Sequence, residues 1–371
     1  MNANKPGRPE AAPRRRYRII AAAAIAMGAV ALGAWRASIR CTPPIEGPNA
    51  VASLEYVRLG GVDQLLLCRG EDVSKPILLY LRGGPGVPCI PYEHVVRDLE
   101  KDFIVVFWDQ RGTGRSYPKT IEPVTIDRYV DDAKELVDLL LARFGKERLY
   151  LIGHSWGSVL GLRLASEIPE QLHAYIGMGQ LVDGARNETR SYEVAVERAQ
   201  AAGDRRALAA LAGVTPPYLD GSGEQVIKDL ALQRKWLERL GGVYHDYRTL
   251  GNKQIIGAML KSTEYGLTDF ITMEKRGRAA ARTTWREQLA VDFFNTVPRL
   301  ETPVWFFMGE ADYNTPVDLV YEYYGRLDAP AGKAFVRFEK SGHFPIFEEF
   351  GKFRTELLRV VEATEIGRAH V

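Results

Sequence analysis

Short apolar runs alternate with helical periodicity over residues 50–180 and again over 297–364, which predicts an α/β fold around a mostly parallel sheet flanked by helices. Between these stretches, residues 183–296 are rich in Ala, Arg, Leu and Glu and hold no run that reads as a strand. An all-helical insertion, a cap above the sheet, is the simplest account. Ahead of both lies a segment that is first basic and then apolar. The chain therefore divides into an N-terminal signal or anchor segment (1–40), a first core part (45–182), the cap (183–296), a second core part (297–364) and a short tail (365–371). With 371 residues, 46% hydrophobic and 26% charged, it has the composition of a globular protein.

The first forty residues carry eight cations (Lys5, Arg8, Arg14, Arg15, Arg16, Arg18, Arg36 and Arg40) against Glu10. They hold a local charge of +7 in a chain whose formal total is +2, leaving −5 for the rest. A mildly acidic body argues against nucleic acid as a partner, because phosphate binding needs clustered cations. Residues 19–35 contain no charge. As a helix they span about 25 Å, just under a hydrocarbon core of roughly 30 Å. Two readings fit: a signal peptide cleaved at a small-x-small site such as Ala29, Val30 and Ala31, or an uncleaved membrane helix with its arginines on the cytoplasmic side. Both put the following domain on the extracytoplasmic side. The second makes the membrane a partner.

In the core, strands are expected at 52–59, 62–68, 76–81, 103–108, 149–152, 174–178, 304–308 and 334–338, and helices at 126–144, 155–167, 316–327 and 347–363. The chemistry sits on the loops after the strands. GHSWG at 153–157 follows an apolar run and precedes a helix, the layout of a nucleophile elbow. Ser155 is the candidate nucleophile, with glycines where a Cβ would clash in the tight turn. RGGPG at 82–86 directly follows the third strand. Its backbone N–H groups at Gly83 or Gly84, with that of Trp156, are candidates for an oxyanion hole. The base should come last in the chain, and His343, in SGHFP, fits a loop after the last strand. The acid lies between, in GEADYNTP. Asp312 is preferred for its short side chain, with Glu310 as the alternative. His154, inside the elbow, reads as a packing or pocket residue, and His94, His173 and His245 as structural.

These motifs, together with DQRGTGRS at 109–116, resemble the proline iminopeptidase branch of the α/β-hydrolases, serine peptidase family S33. The resemblance covers roughly residues 50–180 and 300–350. It implies an aminopeptidase acting on short peptides through a Ser-His-Asp acyl transfer, with no metal or organic cofactor. A carboxylesterase or other small ester or amide hydrolase stays open, as does a catalytically silent binding relative. Asp109 and Arg111 are expected to pair and brace the turn that carries the oxyanion glycines. Two departures stand out. Arg82 replaces the histidine that usually opens the family's HGGPG, and the cap lacks the family's usual W-x-x-W-E-like segment for the substrate amine. Cap carboxylates at Glu188, Glu193, Glu264 and Glu274, with Gln180 at the exit from the sixth strand, are the remaining substrate-binding candidates.

Cys41, Cys68 and Cys89 form no CxxC pair, so neither a zinc site nor a disulfide framework is indicated. Residues 365–371 read as the translation of a sequencing-adapter sequence, which takes His370 out of any functional argument.

Overall fold

Two strand segments, ILLYL and IVVFW, are apolar at every position, and such runs are stable only where both faces of a sheet are covered. In the computed structural model they lie near the middle of one eight-stranded sheet. The strands are β1 (Val51–Leu59), β2 (Val62–Gly70), β3 (Ile77–Leu81), β4 (Ile104–Trp108), β5 (Leu149–Ser155), β6 (Leu172–Gln180), β7 (Val304–Gly309) and β8 (Lys333–Phe338). Their order is β1-β2-β4-β3-β5-β6-β7-β8. β2 runs antiparallel to both β1 and β4, and every other pairing is parallel. The structure describes residues 40–117, 124–218, 223–246 and 252–366, with Ala24, Ile25, Met27, Gly28 and Gly33 of the N-terminal apolar run. Most of that run, and residues 367–371, lie outside the described residues. Among the described residues no helix is long and apolar enough to cross a membrane.

Successive strand residues go to opposite faces, so Leu79, Val106 and Leu151 join one apolar layer while Leu78, Val105 and Ile152 join the other. Helices α1 (Ile126–Phe144) and α2 (Trp156–Glu167) cover the first layer. α1 starts where the Thr125 side chain accepts from the Arg128 N–H and ends at Gly145, which takes the left-handed φ of 61°. Its buried positions Tyr129, Ala133, Leu136 and Leu140 are three and four apart. β6 and β7 are joined through α3 (Gly184–Ala201), α4 (Arg205–Leu211), α5 (Gly223–Arg239), α6 (Asn252–Lys261), α7 (Leu267–Leu289) and α8 (Phe293–Thr296), with no strand among the described residues. α9 (Val317–Arg326) follows β7.

The helix expected at 347–363 is two: α10 (Pro345–Glu348) and α11 (Phe350–Ile366). They part at Glu349, which is non-helical at φ −129°, ψ 51°. Its carboxylate accepts from Lys340 N and Ser341 Oγ, so the break serves to brace the loop that carries His343.

Candidate active site

Ser155 closes β5 with φ 55° and ψ −124°, a backbone conformation seldom adopted by a residue with a side chain. Close packing enforces it. A Cβ on Gly157 would lie 2.1 Å from the Leu81 carbonyl oxygen, and one on Gly153 would lie 2.8 Å from that of Gly157. The turn thus puts the hydroxyl at the carboxyl end of the sheet, above the first turn of α2, where the helix dipole favours developing negative charge. The Gly83 loop passes directly over it: a Cβ there would meet Ser155 Cβ at 2.7 Å. Among the described residues the N–H groups of Gly83, Gly84 and Trp156 donate to no partner. Gln110, which the sequence reading missed, fastens the two sides together. Its Nε2 donates to the Arg82 carbonyl (3.1 Å) and its Oε1 accepts from Trp156 Nε1 (3.0 Å).

His343 Nδ1 donates to Asp312 Oδ2 at 2.9 Å, with both side chains buried. Asp312 is held by the N–H groups of Asn314 (3.0 Å) and Thr315 (2.9 Å) and by Thr315 Oγ1 (2.8 Å). Glu310 points elsewhere, toward Arg337 and solvent. Gly179, at φ 50°, makes room for the pair, since a Cβ there would lie 2.9 Å from the imidazole. His154 Nε2 donates to the His343 carbonyl at 2.8 Å. Burial first, then the neighbouring His343 and Arg82, hold His154 well below the ordinary imidazole range, so it works here as a neutral strut.

One contact differs from expectation. Among the described residues Ser155 Oγ makes no hydrogen bond to His343. The Nε2 lone pair instead accepts from Asn314 Nδ2 at 3.0 Å. Serine, imidazole and Asn314 line the same cavity of about 340 Å³, together with Leu181, Glu188, Arg234, Glu238 and Trp285. For the imidazole to take the serine proton, the amide has to turn aside.

The DQRGTGRS loop also departs from expectation. Asp109 and Arg111 do not pair. Arg111 forks onto Asp132 (2.8 and 2.9 Å) and onto the Gly60 carbonyl, tying the loop to α1 and the β1–β2 turn. Asp109 accepts from the Tyr265 hydroxyl and from Arg115 N, and Arg115 Nη1 reaches the Glu264 carbonyl at 2.8 Å. The expected pair does not form because the side chains that bind these two residues, Asp132 in α1 and Tyr265 in the cap, lie far along the chain. Burial pushes the Asp109 carboxyl up to about 7, against the pull of those two hydrogen bonds.

Of the substrate-binding candidates whose side chains are among the described residues, only Glu188 reaches the cavity. Its carboxylate is already taken by Arg234 (2.6 and 2.8 Å). Gln180 is fully buried and spends its amide on Ser158 and Leu181 carbonyls and on Tyr175. Glu193 opens on a separate surface cleft beside Arg190, and Glu264 is buried against Ser262 and Thr263. The Glu274 side chain lies outside the described residues. Glu238 was overlooked: it lines the cavity, its carboxylate has no hydrogen bond among the described residues, and burial raises its carboxyl against the weaker pull of Arg239. Arg82 sits in the aromatic surround of Tyr92, Phe344 and Phe347, at 5.1–5.7 Å from the ring centres, and leaves the oxyanion glycines undisturbed.

The cap grips both loops that carry the candidate acid and base. Asn187 Nδ2 and Ser191 Oγ, on α3, donate to the carbonyls of Asn314 (3.1 Å) and Tyr313 (2.7 Å). Tyr313 N donates to Gly242 O (2.9 Å) and His343 N to Val243 O (2.7 Å). A further contact joins cap and core: Gly86 abuts α7 so closely that a Cβ would come within 2.5 Å of Gly277.

Comparison with known proteins agrees with this geometry. The serine aminopeptidase S33 family profile matches residues 81–211. The chain is 33% identical over 316 residues to a probable aminopeptidase, YbaC, of Bacillus subtilis, covering 84% of this chain and 96% of that one. A proline iminopeptidase of Thermoplasma volcanium is 34% identical over 128 residues, 34% of this chain and 42% of its own. Among solved structures, a proline iminopeptidase-related protein of Thermus thermophilus superposes with a TM-score of 0.61 at 22% identity, covering 85% and 98% of the two chains, a likeness of fold. The chain is a serine hydrolase, and it belongs to the S33 serine aminopeptidase family of the α/β-hydrolases.

Proposed function

We propose that the chain removes the N-terminal residue from short peptides, in the manner of a prolyl aminopeptidase, by acyl transfer through a covalent intermediate. The observation that carries this reading is the buried His343–Asp312 pair opening, beside Ser155, on one small cavity that Glu238 also lines, its carboxylate without a hydrogen bond among the described residues. Ser155 Oγ attacks the carbonyl carbon next to the substrate's α-amine while His343 Nε2, released by Asn314, takes its proton. Asp312 stabilises the imidazolium. Backbone N–H groups of Gly83 or Gly84 and of Trp156 hold the oxyanion, each donor contributing about 10²–10³ in turnover. The imidazolium then protonates the leaving amine, and water, deprotonated by the same ring, releases the product and regenerates Ser155. Glu238 receives the α-ammonium, because Glu188 is already neutralised by Arg234.

In the same reading, residues 19–35 hold the domain on the extracytoplasmic face of a membrane. A carboxylesterase is the second reading. The observation favouring it is that the cavity offers only one uncommitted carboxylate to an amine among the described residues. Fluorophosphonate labelling, lost in Ser155→Ala, tests the nucleophile. Release of proline from prolyl p-nitroanilide tests the peptidase. Glu238→Gln should raise KM for that substrate about 10-fold or more, the loss of one charge-assisted hydrogen bond, and leave p-nitrophenyl acetate turnover alone. Turnover of the acetate with no cleavage of any free-amine substrate would overturn the aminopeptidase reading.

A further inference from the structure

Large apolar side chains exposed to solvent are few among the described residues, and they are unevenly placed. Apart from Ile25 and Met27 there are eight, and five of them (Val87, Val95, Ile256, Leu260 and Ile271) sit on three adjoining segments. Ile256 and Leu260 are one turn apart on α6 and are each 54% exposed, while Ile271, at 71%, lies near the start of α7. Val95 ends the 3-10 turn Ile90–Val95, which packs against α6, and Val87 follows Gly86, which abuts α7. Exposed apolar side chains gathered on adjoining segments, rather than scattered singly, point to a contact surface.

The N-terminal segment is fastened at the same corner. Cys41 N donates to the Thr263 carbonyl at 3.1 Å, in the turn between α6 and α7. Arg40 Nη2 donates to Thr268 Oγ1 and Asp269 Oδ1, both at 3.1 Å. The next residues are tied back to the core, where Arg69 Nη1 donates to the Pro43 carbonyl at 2.6 Å. Trp35, the last residue of the charge-free run, is five residues before Arg40. Five extended residues span at most about 18 Å. Whatever medium takes up the apolar run therefore lies within that distance of the α6–α7 corner. Ile25 and Met27 of the run are themselves 74% and 67% exposed, so they are not covering the cap's apolar side chains.

We propose that the α6–α7 corner of the cap, through Val87, Val95, Ile256, Leu260 and Ile271, rests on the lipid bilayer that residues 19–35 enter, so that the cap and not the sheet faces the membrane. This rests on the membrane-anchor reading given above, and it adds the orientation of the domain. Lysine and arginine flank the contact at Lys261 and Arg40, as suits the headgroup region of a bilayer.

The test uses the full chain reconstituted with phosphatidylcholine–phosphatidylglycerol vesicles and recovered by flotation. Cys41 is the exposed cysteine and Cys68 and Cys89 are buried, so a Cys41→Ser background accepts one polarity-sensitive fluorophore at Ile256→Cys, at Ile271→Cys or, as a control, at Tyr321→Cys on α9. Vesicles with brominated acyl chains are expected to quench the probes at 256 and 271 at least twofold more than the probe at 321. Each labelled variant is checked for fluorophosphonate reaction at Ser155, so a misfolded variant is recognised. A chain that floats but shows equal quenching at all three sites overturns the orientation while the anchor stands. A chain that does not float overturns both. If the unlabelled Ile271→Cys variant, treated with copper–phenanthroline as oxidant, forms a disulfide between two copies, and the labelled variant shows no bromine quenching, the corner is an interface between copies and the lipid assignment is overturned.

Discussion

Asp109 offers a measurement of how the cap is joined to the core. Burial pushes its carboxyl from 3.8 up to about 7, although the Tyr265 hydroxyl and Arg115 N donate to it. In the unfolded chain the same group ionises near pH 3.9. Between roughly pH 4 and pH 7 the native protein therefore holds a proton that the unfolded chain has lost. A group raised in this way makes stability fall as pH rises through that window and level off above it. Three pH units correspond to about 4 kcal/mol at 1.36 kcal/mol each, the largest change this one group can contribute. Asp109→Asn replaces the carboxyl by an uncharged group of the same shape and removes the dependence. Urea denaturation of parent and variant at pH 4, 5, 6, 7 and 8 isolates it, because every other titrating group is common to both. The stability difference should move in favour of the variant by up to about 4 kcal/mol between pH 4 and pH 8. A difference that stays flat, or moves in favour of the parent, would refute the argument.

Other consequences are equally direct. Asn314→Ala frees the Nε2 lone pair of a hydrogen bond worth about 0.5–1.5 kcal/mol, so fluorophosphonate labelling should run about 2- to 10-fold faster; slower labelling would mean that the amide positions the ring instead. Gly86→Ala sets a Cβ within 2.5 Å of Gly277 at a φ of 92° and should cost about 1–3 kcal/mol with a drop in kcat, read by thermal unfolding and steady-state kinetics. Arg234→Met strands the buried Glu188 carboxylate and should cost about 3–5 kcal/mol, most of it recovered in the double variant with Glu188→Met.

The sheet was readable because its inner strands are compact apolar runs, β3 and β4 at every position, and the nucleophile because GHSWG ends one such run at a helix. Chain order pointed to His343, and the short side chain to Asp312 over Glu310; the structure brings these two side chains together. What sequence could not supply was the partner of each polar group. DQRGTGRS stands out in the sequence as a unit, yet Arg111 reaches α1, Asp109 reaches Tyr265, and Gln110 bridges the two halves of the candidate oxyanion hole. Those contacts join residues tens of positions apart and leave no local periodicity. The same holds for the pocket. Glu188 and Glu238 look alike in a helical sequence, and only the structure shows that Arg234 engages Glu188 while the Glu238 carboxylate has no hydrogen bond among the described residues. Asn314 stood in plain view within GEADYNTP, but nothing in its neighbours says that its amide faces the imidazole.

The fastenings from Asn187, Ser191, Gly242 and Val243 to the loops bearing Asp312 and His343 bear on how this enzyme can change. A lid that merely overhung the sheet could be traded for another to give a new specificity, with the machinery beneath untouched. Here the roof is nailed to the working parts. A chimera that imports a foreign cap must bring matching donors and acceptors for both loops, or lose alignment of the candidate acid and base along with its old pocket.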